Sequence, residues 1–104
     1  MKNAEAVLSV KFKTTFSSEK LNTVIQEDLE AFRAIPGLIQ KYYLLEESTG
    51  AISGVYLFET ESDRATFWRS DLAKNIPTRY GVIPETLRVE QYNMALVLND
   101  VVPA

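Results

Sequence analysis

Residues 40–60 read QKYYLLEESTGAISGVYLFET, two apolar and aromatic runs separated by a polar turn. Aromatic and β-branched residues favour strands and Gly50 can take a positive φ, so the pattern predicts a β-hairpin with ESTG as its turn. If Glu47 lies opposite Gly50, one face carries Ile39, Lys41, Tyr43, Leu45, Ile52, Gly54, Tyr56 and Phe58. The other face carries Leu38, Gln40, Tyr42, Leu44, Ser53, Val55 and Leu57. Both faces are rich in apolar side chains, so we expect each to be covered.

The segment before the hairpin predicts a strand and a helix. Residues 6–13 alternate in polarity, which places Leu8, Val10 and Phe12 on one face of a half-buried strand. Apolar residues then recur at helical spacing between residues 21 and 32, with Ser17 or Ser18 as a possible N-cap. The Pro-Gly pair at residues 36–37 is expected to end this helix.

A second helix is predicted after the hairpin, with Thr60 or Ser62 as its N-cap. It is expected to continue, with or without a kink, toward Ile76. Pro77 disfavours a helical Ile76, so we expect a break there and a second helical piece that Gly81 caps. The pattern of residues 85–100, ETLRVEQYNMALVLND, is typical of a long final strand.

The element order β-α-β-β-α-β predicts an α+β, ferredoxin-like split βαβ fold with a four-stranded antiparallel sheet. Two helices cover only one face of such a sheet. The apolar opposite face, formed by Leu38, Tyr42, Leu44, Val55 and Leu57, and the apolar tail of residues 95–104 then predict a homodimer packed sheet to sheet.

The composition limits the possible functions. A chain of 104 residues is expected to form a single domain, residues 1–104, and a net charge of −3 without a basic cluster argues against a nucleic-acid partner. Without histidine or cysteine, the usual zinc sites, Ser-His-Asp triads and Cys-His pairs are excluded, and we expect no metal requirement. No signal peptide or membrane-spanning segment is evident, which predicts a cytoplasmic protein without a membrane partner.

Residues 36–99 resemble the YdhR-like monooxygenases of the dimeric α/β-barrel group. The most specific likenesses are the run from Pro36-Gly37 through Lys41 to the tyrosines, the GVYLF strand and the RYG turn. The resemblance implies ferredoxin-like protomers that join their sheets into a barrel, each with a ligand pocket between sheet and helices. Some relatives oxidise aromatic or polyketide-like substrates with O₂ and no metal or flavin. Haem-degrading relatives hold iron through a histidine, which this sequence lacks.

The resemblance therefore implies a cofactor-independent monooxygenase that acts on a small aromatic or conjugated carbonyl compound. Two alternatives stay open. One is an isomerase or cyclase on the same scaffold, in which Lys41 or a carboxylate moves a proton and O₂ takes no part. The other is a non-catalytic dimer that binds a small ligand.

The hairpin supplies the candidate catalytic residues, Lys41 and Tyr56. A desolvated Lys41 would act as a base or bind an enolate, whereas the plainer interpretation is an edge lysine that reaches water. Tyr56 and Tyr43 would orient a carbonyl or phenolate oxygen, or would only pack their rings. Gly54 would leave room for the ligand between them.

Three further residues are candidates for substrate binding. Trp68, the only tryptophan, is either a core residue or a wall of the cavity. Arg79 would hold a carboxylate at the mouth of the pocket, or would cap a short helix in water. Tyr80 lies in the same turn.

Overall fold

The computed structural model describes residues 3–99, and its elements follow the predicted ferredoxin-like order. The strands are β1 (Ala6–Phe12), β2 (Leu38–Leu45), β3 (Ile52–Phe58) and β4 (Arg88–Asn93). The helices are α1 (Ser18–Arg33), α2 (Glu61–Trp68), α3 (Asp71–Lys74) and α4 (Ile76–Arg79), and Pro84–Thr86 forms a 3₁₀ turn. The strands form one antiparallel sheet in the order β2-β3-β1-β4, which confirms the predicted α+β class.

The hairpin of β2 and β3 has the predicted register over most of its length, from Lys41 opposite Tyr56 to Leu45 opposite Ile52. Its turn includes Gly50 with φ +76°. The register shifts near the start of β2, where Leu38 pairs with Phe58 and Ile39 is an extra residue in a β-bulge. The predicted face of Leu38 was therefore wrong, because a one-residue bulge reverses the faces on its far side.

The core lies between the sheet and the helices. Leu8 and Val10 of β1, Tyr56 and Phe58 of β3, and Phe32 of α1 are all buried there. Because of the bulge, Leu38 packs against this core cluster and does not lie on the sheet face opposite the helices. The rings of Tyr56 and Phe67 lie 5.0 Å apart between centroids, so aromatic contacts connect the hairpin to α2.

The second helical region consists of three short helices. Thr60 caps α2, where its side chain accepts a hydrogen bond from the N–H of Asp63. A break that was not predicted lies at Ser70, whose hydroxyl accepts from the N–H of Ala73 and so begins α3. The predicted break before a second helical piece lies at Asn75, between α3 and α4. Ile76 is helical, contrary to the prediction, because Pro77 lies in the first turn of α4, where a missing N–H does no harm.

The last strand is shorter than its pattern predicted, since β4 ends at Asn93 and residues 94–99 form no strand. The part of the predicted tail in residues 100–104 lies outside the described residues. Within residues 3–99, no helix is long and apolar enough to cross a membrane.

The sheet face opposite the helices is apolar and open in the protomer. Tyr42, Leu44 and Tyr92 on this face are 52%, 51% and 49% exposed. Val55 and Leu57 lie between them on the central part of the sheet and are half-buried. We call this surface the open sheet face.

Two glycines provide a matched test of the packing between the hairpin and α2. Gly37 and Gly50 share φ +76°, but an added Cβ at Gly37 would overlap the carboxyl group of Asp63, whereas one at Gly50 meets no atom within 4 Å. We expect Gly50→Ala to lower the free energy of unfolding by about 1–2 kcal/mol, the usual penalty for a left-handed alanine. Gly37→Ala should lower it by about 1–3 kcal/mol more, because α2 must shift. Urea unfolding of the two variants measures the difference, and equal losses would contradict this packing.

Candidate active site

A small cavity lies between the helix-facing side of the hairpin and the helices. Its volume is about 20 Å³, which is room for about one water molecule. Five of the predicted site residues border it, namely Lys41, Tyr43, Gly54, Tyr56 and Tyr80. The structure therefore brings together most of the residues that the sequence indicated.

Lys41 lies at the centre of this cluster, and its ammonium nitrogen packs on aromatic faces. The Nζ atom is 3.6 Å from the ring centroid of Phe32, 4.2 Å from that of Tyr43 and 4.5 Å from that of Tyr56. Among residues 3–99, no carboxylate lies within ion-pairing distance of it. Burial disfavours the charged form and lowers the pKa of Lys41 to about 7, against the opposing effect of the Asp28 charge.

Gly54 lies opposite Tyr43 and next to the stem of Lys41. A Cβ at this position would be 3.1 Å from Lys41 Cε and 3.2 Å from Tyr56 Cε1. Such contacts are tighter than ordinary van der Waals packing. The absence of a side chain at Gly54 therefore makes room for Lys41 in the protomer. The sequence had predicted that this space would hold a ligand.

The two tyrosines of the hairpin differ in exposure. Tyr56 is fully buried, whereas Tyr43 is 37% exposed and lies at the mouth of the cavity. Burial, and then the charge of Tyr43, raise the pKa of Tyr56 far above its usual value. Burial is also the main cause that raises the pKa of Tyr43, followed by Asp28. Both phenols therefore keep their protons at neutral pH and are available as hydrogen-bond donors.

Asp28 on α1 is a further member of the site that the sequence prediction did not include. Its Oδ2 atom accepts hydrogen bonds from the Tyr80 hydroxyl at 2.9 Å and from Arg79 Nε at 3.1 Å. Burial tends to raise the pKa of Asp28, but the bonds from Arg79 and Tyr80 and the nearby positive charges lower it overall. The carboxylate therefore stays ionised behind the lysine. In the sequence, Asp28 stands out because it is an acidic residue on the apolar face of α1, at helical spacing from Leu21 and Phe32.

Two predicted residues lie outside the cavity. Trp68 borders a separate depression with Pro77 and Leu87, so it is not a wall of the Lys41 cavity. Arg79 forms ion pairs with Asp28 and Glu27 on α1. It therefore orients Asp28 and, contrary to prediction, does not lie at the mouth of the cavity with a free guanidinium.

The donors around the cavity do not suit a metal ion. An ammonium, phenols and a single carboxylate engaged by Arg79 are poor ligands, and within residues 3–99 no group of three acidic, histidine or cysteine side chains converges.

The fold and the cluster together define a ferredoxin-like α+β protein with a basic residue enclosed by phenols. The sequence model of the family described as "Putative mono-oxygenase ydhR" matches residues 7–95. The chain belongs to this family. Among curated protein sequences, none matches it significantly.

Solved structures with the same fold have little sequence identity to this chain. NE2512 from Nitrosomonas europaea, a protein of unknown function, superimposes with a TM-score of 0.72 at 14% identity, covering 100% of this chain and 99% of that one. SnoaB from Streptomyces nogalater, a cofactor-independent oxygenase, gives 0.70 at 11% identity, covering 93% and 99%. The monooxygenase ActVA-Orf6 of Streptomyces coelicolor, solved with nanaomycin D, gives 0.65 at 14% identity, covering 97% and 94%. At these identities the likeness establishes the fold alone.

The charge of Asp28 should be measurable in the titration of Lys41. Asp28 raises the pKa of Lys41, so Asp28→Asn should lower that pKa below its value of about 7. Glu27→Gln is the matched control, because Glu27 also pairs with Arg79 but does not contribute to the shift at Lys41. Carbon-13 NMR of the lysine Cε resonances follows the titration. A Lys41 pKa near the ordinary lysine value of about 10.4 would refute the desolvated site.

Proposed function

We propose that this protein is a cofactor-independent monooxygenase that binds a small aromatic or conjugated carbonyl compound between the sheet and the helices. The observation that carries the proposal is the desolvated Lys41 beside the phenols of Tyr56 and Tyr43. Membership of the YdhR family supports the reaction class. SnoaB, a cofactor-independent oxygenase, has the same fold, which supports the absence of a cofactor.

The proposed reaction begins with removal of a proton from an acidic methylene or phenol of the substrate. With a pKa of about 7, a large fraction of Lys41 is a neutral amine at neutral pH and is able to accept this proton. The resulting ammonium stabilises the substrate anion, and Tyr56 donates its O–H to the developing oxyanion. Among residues 3–99, the Tyr56 hydroxyl has no hydrogen-bond partner, so it is free to donate to the oxyanion.

The anion then reduces O₂ without help from a metal or flavin. Its carbon forms a bond to one oxygen atom, and the O–O bond breaks. A methylene becomes a carbonyl, and the second oxygen atom leaves as water with the two hydrogens of the methylene. All four electrons come from the substrate and its C–H bonds. The apolar walls keep bulk water away from the reactive anion.

The small cavity also favours a second candidate function, binding without catalysis. A volume of about 20 Å³ does not hold an aromatic ring, so Lys41 and Tyr43 must withdraw for a substrate to enter. If they do not withdraw, no substrate reaches the inner cavity, and the protein is a non-catalytic dimer that binds a small ligand elsewhere on its surface. Ligand turnover distinguishes the two functions.

We also infer that residues 1–104 act as one domain and that two copies pair through the open sheet face. The exposed apolar side chains of Tyr42, Leu44 and Tyr92 support this pairing. Monomeric proteins rarely leave such a contiguous patch in water. A second copy covers it symmetrically, since the same patch is present on each protomer.

Oxygen uptake tests the catalytic proposal. With an anthrone as substrate, the wild-type protein should consume O₂ and form the quinone, and Lys41→Met should lower kcat by about 10²-fold because the base is lost. Lys74→Met, at an exposed lysine of α3, is the control that should keep wild-type activity. A Lys41→Met variant that is folded and fully active would eliminate Lys41 as the base. Isomerisation of the substrate without O₂ uptake would support the isomerase alternative.

Adjacent leucines test the dimer. Leu44 lies on the open sheet face at 51% exposure, and Leu45 faces the other side of β2 at 70% exposure. Because both are exposed in the protomer, neither substitution with Asp should unfold it. Leu44→Asp should shift sedimentation toward the monomer, whereas Leu45→Asp should leave a dimer. A wild-type monomer at micromolar concentration would exclude the pairing.

A further inference from the structure

A groove runs between the C-terminal half of α1 and the start of β2. Its volume is about 290 Å³, close to the smallest ligand pockets of about 300 Å³. Its walls are mixed: the apolar and aromatic residues are Leu29, Phe32, Leu38, Ile39 and Tyr43, and the polar ones are Arg33, Gln40 and Lys41. Since Lys41 and Tyr43 face the helices, the groove lies on the opposite side of β2 from the open sheet face and stays accessible in the proposed dimer.

Lys41 forms the boundary between this groove and the inner cavity. Lys41 and Tyr43 border both spaces, and the bulge at Ile39 also lines the groove. The lysine is therefore the one amine of the described residues that a molecule in the groove meets on its way to the core.

The surroundings of the amine favour a nucleophile over a fixed ion pair. The acidic group whose charge acts on Lys41, Asp28, is held by Arg79 and Tyr80. The phenols of Tyr43 and Tyr56 face the amine, and Arg33, which lines the same groove, pairs with Glu30. Rings bind an ammonium only weakly compared with a carboxylate in contact. Consistent with this, burial lowers the pKa of Lys41 to about 7.

We propose that Lys41 captures aldehydes from this groove as an imine, with the apolar part of the aldehyde lying against Phe32 and Tyr43. This activity goes beyond the proposed oxygenation, because it needs no O₂. The amine and the rings beside it define the ligand class, since a primary amine next to Phe32 and Tyr43 selects a small carbonyl compound that carries an apolar or aromatic group.

The condensation is balanced without an oxidant or a reductant. The nitrogen lone pair attacks the carbonyl carbon, a C–N bond forms, and the C=O electron pair becomes an alkoxide. The nitrogen loses two protons in all: the first neutralises the alkoxide, and the second replaces the proton that the Tyr43 phenol donates to the hydroxyl as it leaves as water and the C=N bond forms. Hydrolysis reverses the step and frees Lys41.

Reductive trapping tests the proposal. The wild-type protein is incubated near neutral pH with benzaldehyde and cyanoborohydride, and peptide mass spectrometry follows benzylation at each lysine. Because about half of Lys41 is neutral there while an ordinary lysine is almost fully charged, its initial rate should exceed that at Lys20 or Lys74 by at least about tenfold. The Lys41 rate should level off above about pH 7, whereas the rate for a free lysine derivative in solution should keep rising.

Controls show whether fast benzylation of Lys41 depends on the folded site or is common to every lysine. Lys41→Met should remove the fast phase, Lys74→Met should preserve it, and in guanidinium all lysines should react alike. Leu29→Trp, which fills the groove, should slow benzylation of Lys41 but leave Lys20 unchanged. Equal labelling of Lys41 and Lys74 in the folded protein would overturn the proposal. That failure would leave the oxygen-uptake result untouched, so the two functions are tested separately.

Discussion

Placing the Lys41 ammonium against Phe32, Tyr43 and Tyr56 is the constraint on which the arrangement of the site depends. Such a charge loses most of its hydration, so the neighbouring backbone must approach closely enough for the rings to replace part of it. Gly54 permits this approach because any side chain there would crowd the lysine stem. The hairpin register then fixes which tyrosines share its face.

Two arginines hold the helices around this cluster in different ways. Arg79 and Tyr80 bind Asp28, which ties the end of α4 to α1 behind the lysine. Arg64 of α2 is buried and donates to the carbonyl oxygens of Val7 and Tyr92, which ties α2 to β1 and β4. Hydrogen bonds of a charged group to buried acceptors are stronger than neutral ones. The helices are thus tied to the sheet and to one another by charged side chains at two separate places.

Local patterns were enough to predict the element order, the hairpin register beyond residue 40 and five of the residues that line the cavity. They failed where a tertiary feature decided the outcome. The bulge at Ile39 left no signal in the alternation of β2, so Leu38 was assigned to the wrong face. Trp68 lies on an apolar helix stripe, but which cavity it borders depends on the break at Ser70. Asp28 was visible as a charge at an apolar position, yet its partners come from α4 and the following turn, about 50 residues later.

The buried lysine also links the stability of the fold to proton uptake. In the unfolded chain it holds its proton up to about pH 10, whereas in the folded protein its pKa is about 7. Between these values the unfolded state binds more protons, so this group's contribution to stability is complete above about pH 10 and is lost as pH falls through about 7. An anion bound beside Lys41 reverses part of that loss, because it favours the protonated form in the folded state. An anionic ligand at this position would therefore stabilise the folded state most at a pH below about 7.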